Sequence, residues 1–198
     1  MIDLRSDTVT LPSNEMKEFM LNAPLGDDVY GEDPSINLLE EKASTLFGKQ
    51  SAVFVPSGTM ANLISVLSHC SRGEEVLLGD KSHIFKYEGG GTSVFGGVHS
   101  HQLSNNDDGT INIEHIIQSI HQDNDEHQTI TRLLCLENTH NLCYGAAIEL
   151  QYFEEVKSAI TPFNIKLHID GARIFNASIA LNEHVRNFAQ IADSISCC

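Results

Sequence analysis

Residues 166–173 read KLHIDGAR, and the reading of this stretch decides the fold. Leu167 and Ile169 alternate with polar positions as a strand requires, and Gly171 breaks the run. Asp170 therefore stands where a strand ends and a loop begins. In open α/β sheets that is where ligands bind. Arg173 follows three residues later. The acid and the base either pair with each other or grip two different parts of a ligand.

Other segments repeat the pattern. EVLLG (75–79) and RLLCLE (132–137) are apolar strand runs, AVFV (52–55) reads as another, and SISC (194–197) begins one more. Helical patterns lie between them. Leu38, Leu39, Ala43, Leu46 and Phe47 share one face of a helix that starts near Ser35 and closes at Gly48. MANLISVLSHC (60–70), Ile111 to Ile120, and ELQYFEEVKSAI (149–160) with Leu150, Phe153, Val156 and Ile160 are the others. Alternation on this scale implies an α/β, three-layer αβα domain with a mostly parallel sheet covered on both faces. The first 35 residues, with Pro12, Pro24 and Pro34, read as loop, and 121–129 as a polar surface loop. No repeat or linker divides the chain, so 1–198 reads as one domain.

Composition narrows the function. The chain has 198 residues, is 41% hydrophobic and carries 27 acids against 12 bases, a net charge of −15. That charge excludes nucleic acid as a partner. No apolar run approaches the roughly 20 residues needed to cross a bilayer. MIDLRSDTVT lacks the basic-then-apolar order of a signal peptide, so a cytoplasmic protein without a membrane partner is expected. The five cysteines, Cys70, Cys135, Cys143, Cys197 and Cys198, form no CxxC pair and read as reduced thiols.

The chemistry gathers at segment ends. In PSGTMAN (56–62), Gly58 permits a tight turn while Ser57 and Thr59 offer hydroxyls before a helix. Such a turn binds a phosphate or simply caps the helix, and both readings stand. DKSHIFKYEGGG (80–91) places His83 just beyond EVLLG, with Glu88 five residues on. An imidazole there can stack on a flat ring or move a proton, or lie idle at the surface. LENTHN (136–141) puts Glu137, Asn138 and His140 at another strand end, as ligand groups or as an ordinary turn. Four consecutive strand ends thus carry SGT, SH, ENTHN and DGAR, suited to phosphate, aromatic and anionic contacts on one rim. No metal is expected: His168-x-Asp170 and His99-x-His101 lack the partners of an HExxH site.

Taken in order, IDLRSDTVTLP, GDDVYGEDP, SGTMAN, SHIFKYEGG, LENTHN and HIDGARIFNA resemble the low-specificity L-threonine aldolases. These belong to the β-eliminating-lyase group of fold-type-I pyridoxal-phosphate enzymes. The resemblance runs from Met1 to the last residues. It implies pyridoxal 5′-phosphate as cofactor and a small β-hydroxy-α-amino acid as substrate, with threonine giving glycine and acetaldehyde. It implies that Asp170 pairs with the cofactor's ring nitrogen, that His83 stacks over the ring, and that Ser57, Gly58 and Thr59 hold the phosphate. Glu137 and Asn138 would sit at the cofactor's rim. Ser6 and Arg173 would bind the substrate carboxylate, and Tyr30 and Glu88 would approach its hydroxyl across a subunit boundary of a homodimer or homotetramer. His83 or a water it positions is the expected base, and His127 loosely matches a family histidine near the site.

The family carries its cofactor on a lysine in a serine-lysine-glycine stretch just beyond the strand that SISC begins. None of the seven lysines present matches that position, and the C-terminal small domain is also expected to be absent. On this reading residues 1–198 are the N-terminal segment and most of the cofactor-binding large domain, with little aldolase activity of their own. A shortened non-catalytic homologue, or a related lyase with a different amino-acid substrate, are the alternatives.

Overall fold

The computed structural model describes residues 2–122 and 125–198. Positions 123 and 124 of the polar 121–129 loop lie outside the described residues. In chain order the elements are α1 (Asn14–Leu21), α2 (Pro34–Phe47), α3 (Gly58–His69), β1 (Glu75–Gly79), α4 (His83–Lys86), α5 (Gly91–Gly96) and β2 (His99–Leu103). They continue with α6 (Ile113–Gln118), β3 (Thr131–Glu137), α7 (Leu150–Ile160), β4 (Lys166–Gly171), α8 (Ile174–Leu181), α9 (Val185–Ile191) and β5 (Ser194–Cys197).

Local chemistry sets the helix ends. The Asp33 carboxylate accepts the backbone N–H groups of Ser35 (2.9 Å) and Ile36 (3.0 Å), and Pro34 opens α2. Gly48 closes it at φ 65°, a conformation that costs glycine no Cβ clash.

The strands form one parallel sheet in the order β2-β1-β3-β4-β5. After β2 the chain steps back over β1 to form β3, so connections leave β1 and β3 in opposite directions. The crevice outside their carboxyl ends is therefore a topological switch point. The register sets Glu137 beside Asp170 and Asp170 beside Ser196.

Alternation along the strands builds two cores. Leu77, Leu134, Leu136, Leu167 and Ile169 pack with Phe153, Val156, Ile160 and Phe188 on one face. Val76, Leu78, Leu133 and Cys135 pack with Val66 of α3 and with Ile84 and Val98 on the other. The central strands are buried on both faces, which is why they read as continuous apolar runs.

The structure differs from expectation at three places. AVFV (52–55) is not a strand: it runs beside β5 without pairing, with Val53 67% and Phe54 53% exposed. The Phe54 N–H donates instead to the Glu40 carboxylate (2.6 Å). An apolar tetrapeptide has strand propensity but cannot choose its hydrogen-bond partner. The strand β2, HSHQL, carries no apolar run because it lies at the sheet edge, where polar side chains meet solvent. The loop-like first 35 residues contain α1, capped by the Ser13 hydroxyl, which accepts the Met16 N–H (3.2 Å). No helix among the described residues is long and apolar enough to cross a membrane.

Phe153 is fully buried and meets Phe188 edge to face, with ring centroids 5.5 Å apart. Phe153→Ala should cost about 3–5 kcal/mol of unfolding free energy in urea titration, and a loss under about 1 kcal/mol would contradict this core assignment.

Candidate functional site

The rim is organised by a residue on α3. Asn62 lies in the helix turn that follows SGT and is 2% exposed. Its side-chain Nδ2 donates to Glu88 Oε1 (2.8 Å) and to Asp170 Oδ2 (2.9 Å). Its Oδ1 accepts from Ser196 Oγ (2.8 Å) and lies 3.2 Å from His168 Nε2. One neutral amide thus ties α3, β4, β5 and the 88 turn together. Within the sequence SGTMAN its residue type alone assigns it no role. The signal was its position four residues after Gly58, which turns it back toward the sheet.

Asp170, 3% exposed, also accepts the Ala172 N–H (3.2 Å). Glu137 ends β3, accepting the backbone N–H groups of His83 and Asn141, both at 2.8 Å. Burial, reinforced by the Asp170 charge, pushes the Glu137 carboxyl up to about 7. Burial likewise raises the Glu88 carboxyl, against the hydrogen bonds from Asn62 and His83. His83 stands at the start of α4 with Nδ1 2.9 Å from Glu88 Oε1 and a side chain 38% exposed. Three carboxylates and an imidazole therefore meet at the ends of β1, β3 and β4. No lysine or arginine among the described residues is ion-paired with these carboxylates. His168, on the same sheet face as Asp170, is fully buried; burial lowers it to about 3 and keeps it neutral.

Arg173 does not pair with Asp170. Its Nε and Nη2 donate to the two carboxylate oxygens of Asp7 (2.6 and 2.8 Å), a two-pronged grip. The guanidinium holds Asp7 below the usual carboxylate range. Ser6, the neighbour of Asp7, caps a 3-10 turn, its hydroxyl accepting the Thr8 N–H (3.2 Å). Asp170 and Arg173 thus have separate partners, the Asn62 amide and the Asp7 carboxylate.

The phosphate candidates sit at the start of α3 rather than at a strand end. Ser57 caps that helix, its hydroxyl accepting the Met60 N–H (3.1 Å). Ser57 and Gly58, with Val53, Ala61, Ser196 and Cys198, line a largely apolar groove of about 500 Å³ beside β5. Asp170, Glu88 and Glu137 do not line it.

Other predicted residues are not brought to the cluster. Asn138 is fully buried, but its amide closes a loop, donating to the Ile148 carbonyl (3.1 Å) and accepting the Ile148 N–H (3.0 Å). Tyr30, on the turn Asp28–Tyr30, is 78% exposed. His127 pairs with Asp125 (3.0 Å) on an exposed turn.

The family model described as beta-eliminating lyase matches residues 3–198. The low-specificity L-threonine aldolase 1 of Arabidopsis thaliana is 49% identical over 199 residues, covering 100% of this chain and 56% of that protein. The low specificity L-threonine aldolase of Escherichia coli K12 is 45% identical over 198 residues, covering 100% of this chain and 58% of its own. A solved structure of Leishmania major threonine aldolase superposes with a TM-score of 0.74 at 22% identity, over 90% of this chain and 52% of that one, and shows a shared fold. The chain spans about half the length of the curated relatives it matches.

Two measurements test this geometry. Side-chain carboxyl NMR should find Glu137 titrating near 7. Its folded pKa is raised, so its contribution to stability is present below the unfolded value and lost as pH rises through 7; a midpoint in the ordinary carboxylate range would refute the burial argument. Asn62→Ala strands two carboxylate oxygens and the Ser196 hydroxyl, and should cost about 2 kcal/mol or more by urea unfolding.

Proposed function

We propose that this chain, which belongs to the beta-eliminating lyase family, holds pyridoxal 5′-phosphate at the carboxyl end of its sheet and serves the cleavage of a β-hydroxy-α-amino acid. Threonine, giving glycine and acetaldehyde, is the substrate this reading names. The observation that carries it is Asp170, a buried carboxylate held by a neutral amide and grouped with two further buried carboxyls that no lysine or arginine among the described residues pairs with. Such a donor set fits a group that brings a protonated ring nitrogen.

In this reading Asp170 accepts the ring N–H, and Asn62 keeps the carboxylate aimed without neutralising it. When bound, the cofactor supplies the electron sink for the pair released by Cα–Cβ cleavage. The backbone amides that open α3 at Gly58 and Thr59 offer hydrogen bonds to a phosphate, and the Ser57 cap fixes their direction. His83 lies beside Glu88, whose carboxylate at Nδ1 orients the ring and leaves Nε2 to take the β-hydroxyl proton. Arg173 holds the substrate carboxylate in the fork that grips Asp7 here, with Ser6 alongside. Tyr30, exposed on its turn, reaches a substrate from a second subunit of a homodimer or homotetramer. Residues 1–198 then make up the N-terminal segment and most of the cofactor-holding large domain.

The test is turnover of L-threonine to glycine and acetaldehyde by the whole protein with pyridoxal 5′-phosphate. Asp170→Asn should lower kcat by about a hundredfold or more. Arg173→Lys should raise KM by about tenfold with a smaller effect on kcat, since a point charge replaces a planar fork. Unchanged kinetics in Asp170→Asn would sink the proposal, and threonine turnover without added or bound cofactor would do the same.

A further inference from the structure

A second cluster lies at the opposite end of the sheet. Glu75 is the first residue of β1, roughly 13 Å along the strand from the rim at a rise of about 3.3 Å per residue. Its side chain is 1% exposed. The Thr131 hydroxyl donates to Oε1 (2.8 Å) and the Thr129 hydroxyl to Oε2 (2.9 Å). Among the described residues no lysine or arginine pairs with it; its nearest side-chain nitrogens belong to histidines. His101 of β2 and His121, in the connection before β3, each place Nδ1 near Oε1, at 3.4 and 3.3 Å. His99 Nε2 lies 3.7 Å from Oε2.

These distances have a specific meaning. Charge-assisted N–H···O bonds run at about 2.7–2.9 Å, so neither histidine makes a good one. Four ligands at about 2.0–2.1 Å from a tetrahedral ion stand about 3.3–3.4 Å apart, which is the spacing found from each of these two imidazoles to Glu75 Oε1. The three candidate ligand atoms all lie within 4.8 Å of one another. The His101 and His121 rings are stacked, with centroids 5.7 Å apart. His121 Nδ1 is buried and has no hydrogen-bond partner among the described residues. An unpartnered ring nitrogen held toward a buried carboxylate is the arrangement a cation would complete.

We propose that Glu75, His101 and His121 bind one divalent transition-metal ion of the zinc type, separate from the cofactor rim. Two imidazoles and a carboxylate are a zinc ligand set that leaves a fourth position open. The Thr129 and Thr131 hydroxyls orient the carboxylate from behind. The ion would supply the positive charge that the buried Glu75 lacks, and would clip β1, the edge strand β2 and the connection to β3 together.

The protein carries exposed thiols at Cys197 and Cys198, so the test uses a background with both replaced by serine. Titration with Zn2+, followed by calorimetry and thermal unfolding, should show one ion per chain and a raised Tm. His101→Ala and His121→Ala should each weaken binding by about tenfold or more, since even supporting residues of metal sites carry that much. His115→Ala on α6 should leave it unchanged. Co2+ added to the unmutated ligand set should give the intense visible bands of a four-coordinate site, a readout independent of the variants' folding. Absence of Zn2+ uptake, uptake unaffected by both histidine substitutions, or a Co2+ spectrum no different from the free ion would each overturn the proposal.

Discussion

The site depends on the side-chain amide of Asn62. An amide has two donors and two lone-pair acceptors, and here it reaches two carboxylates through one group and a hydroxyl and an imidazole through the other. Because it is neutral, it fixes Asp170 and Glu88 without cancelling their charge. A lysine in its place would offset one of the cluster's charges, and a carboxylate would add a further repulsive one. Burial raises the Glu88 and Glu137 carboxyls and the Asp170 charge adds to it, while the hydrogen bond from Asn62 opposes the rise at Glu88 without cancelling it.

The strand order explains why these groups meet. With β1 between β2 and β3, the loop leaving β1 and the end of β3 border one crevice, and the His83 N–H donates across it to Glu137. Parallel pairing in register sets Glu137 beside Asp170. Helix α3 covers the same face of the sheet, so its early turn supplies both the Ser57 cap and Asn62. The residues of SGTMAN reach the rim from above the sheet, which is why AVFV need not be a strand for the site to form.

Arg173 illustrates a division of labour in an acidic chain. With 27 acids against 12 bases, a fixed guanidinium near the rim is a scarce resource. It is engaged by Asp7 in the two-oxygen geometry that a carboxylate ligand would use. The Asp7 carboxylate seated in this fork shows that a two-oxygen anion fits it, which is the geometry the proposed substrate role rests on.

The sequence by itself determined the fold class and most of the rim. Buried strands such as RLLCLE and helices such as 149–160 announce themselves because burial on two faces or one stripe dictates their residue pattern. His83, Glu137 and Asp170 were legible because polar groups at strand ends are local features. Asn62 was not, since its role rests on partners 26, 108 and 134 residues away. Nor was β2 distinguishable, because an edge strand owes no apolar face to the core. The histidine pair His99-x-His101 shows the same limit: without Glu75 and His121 it is two residues on a polar strand. Only packing decides which distant groups share a few ångströms, because chain separation along the sequence carries no information about distance once the sheet has closed.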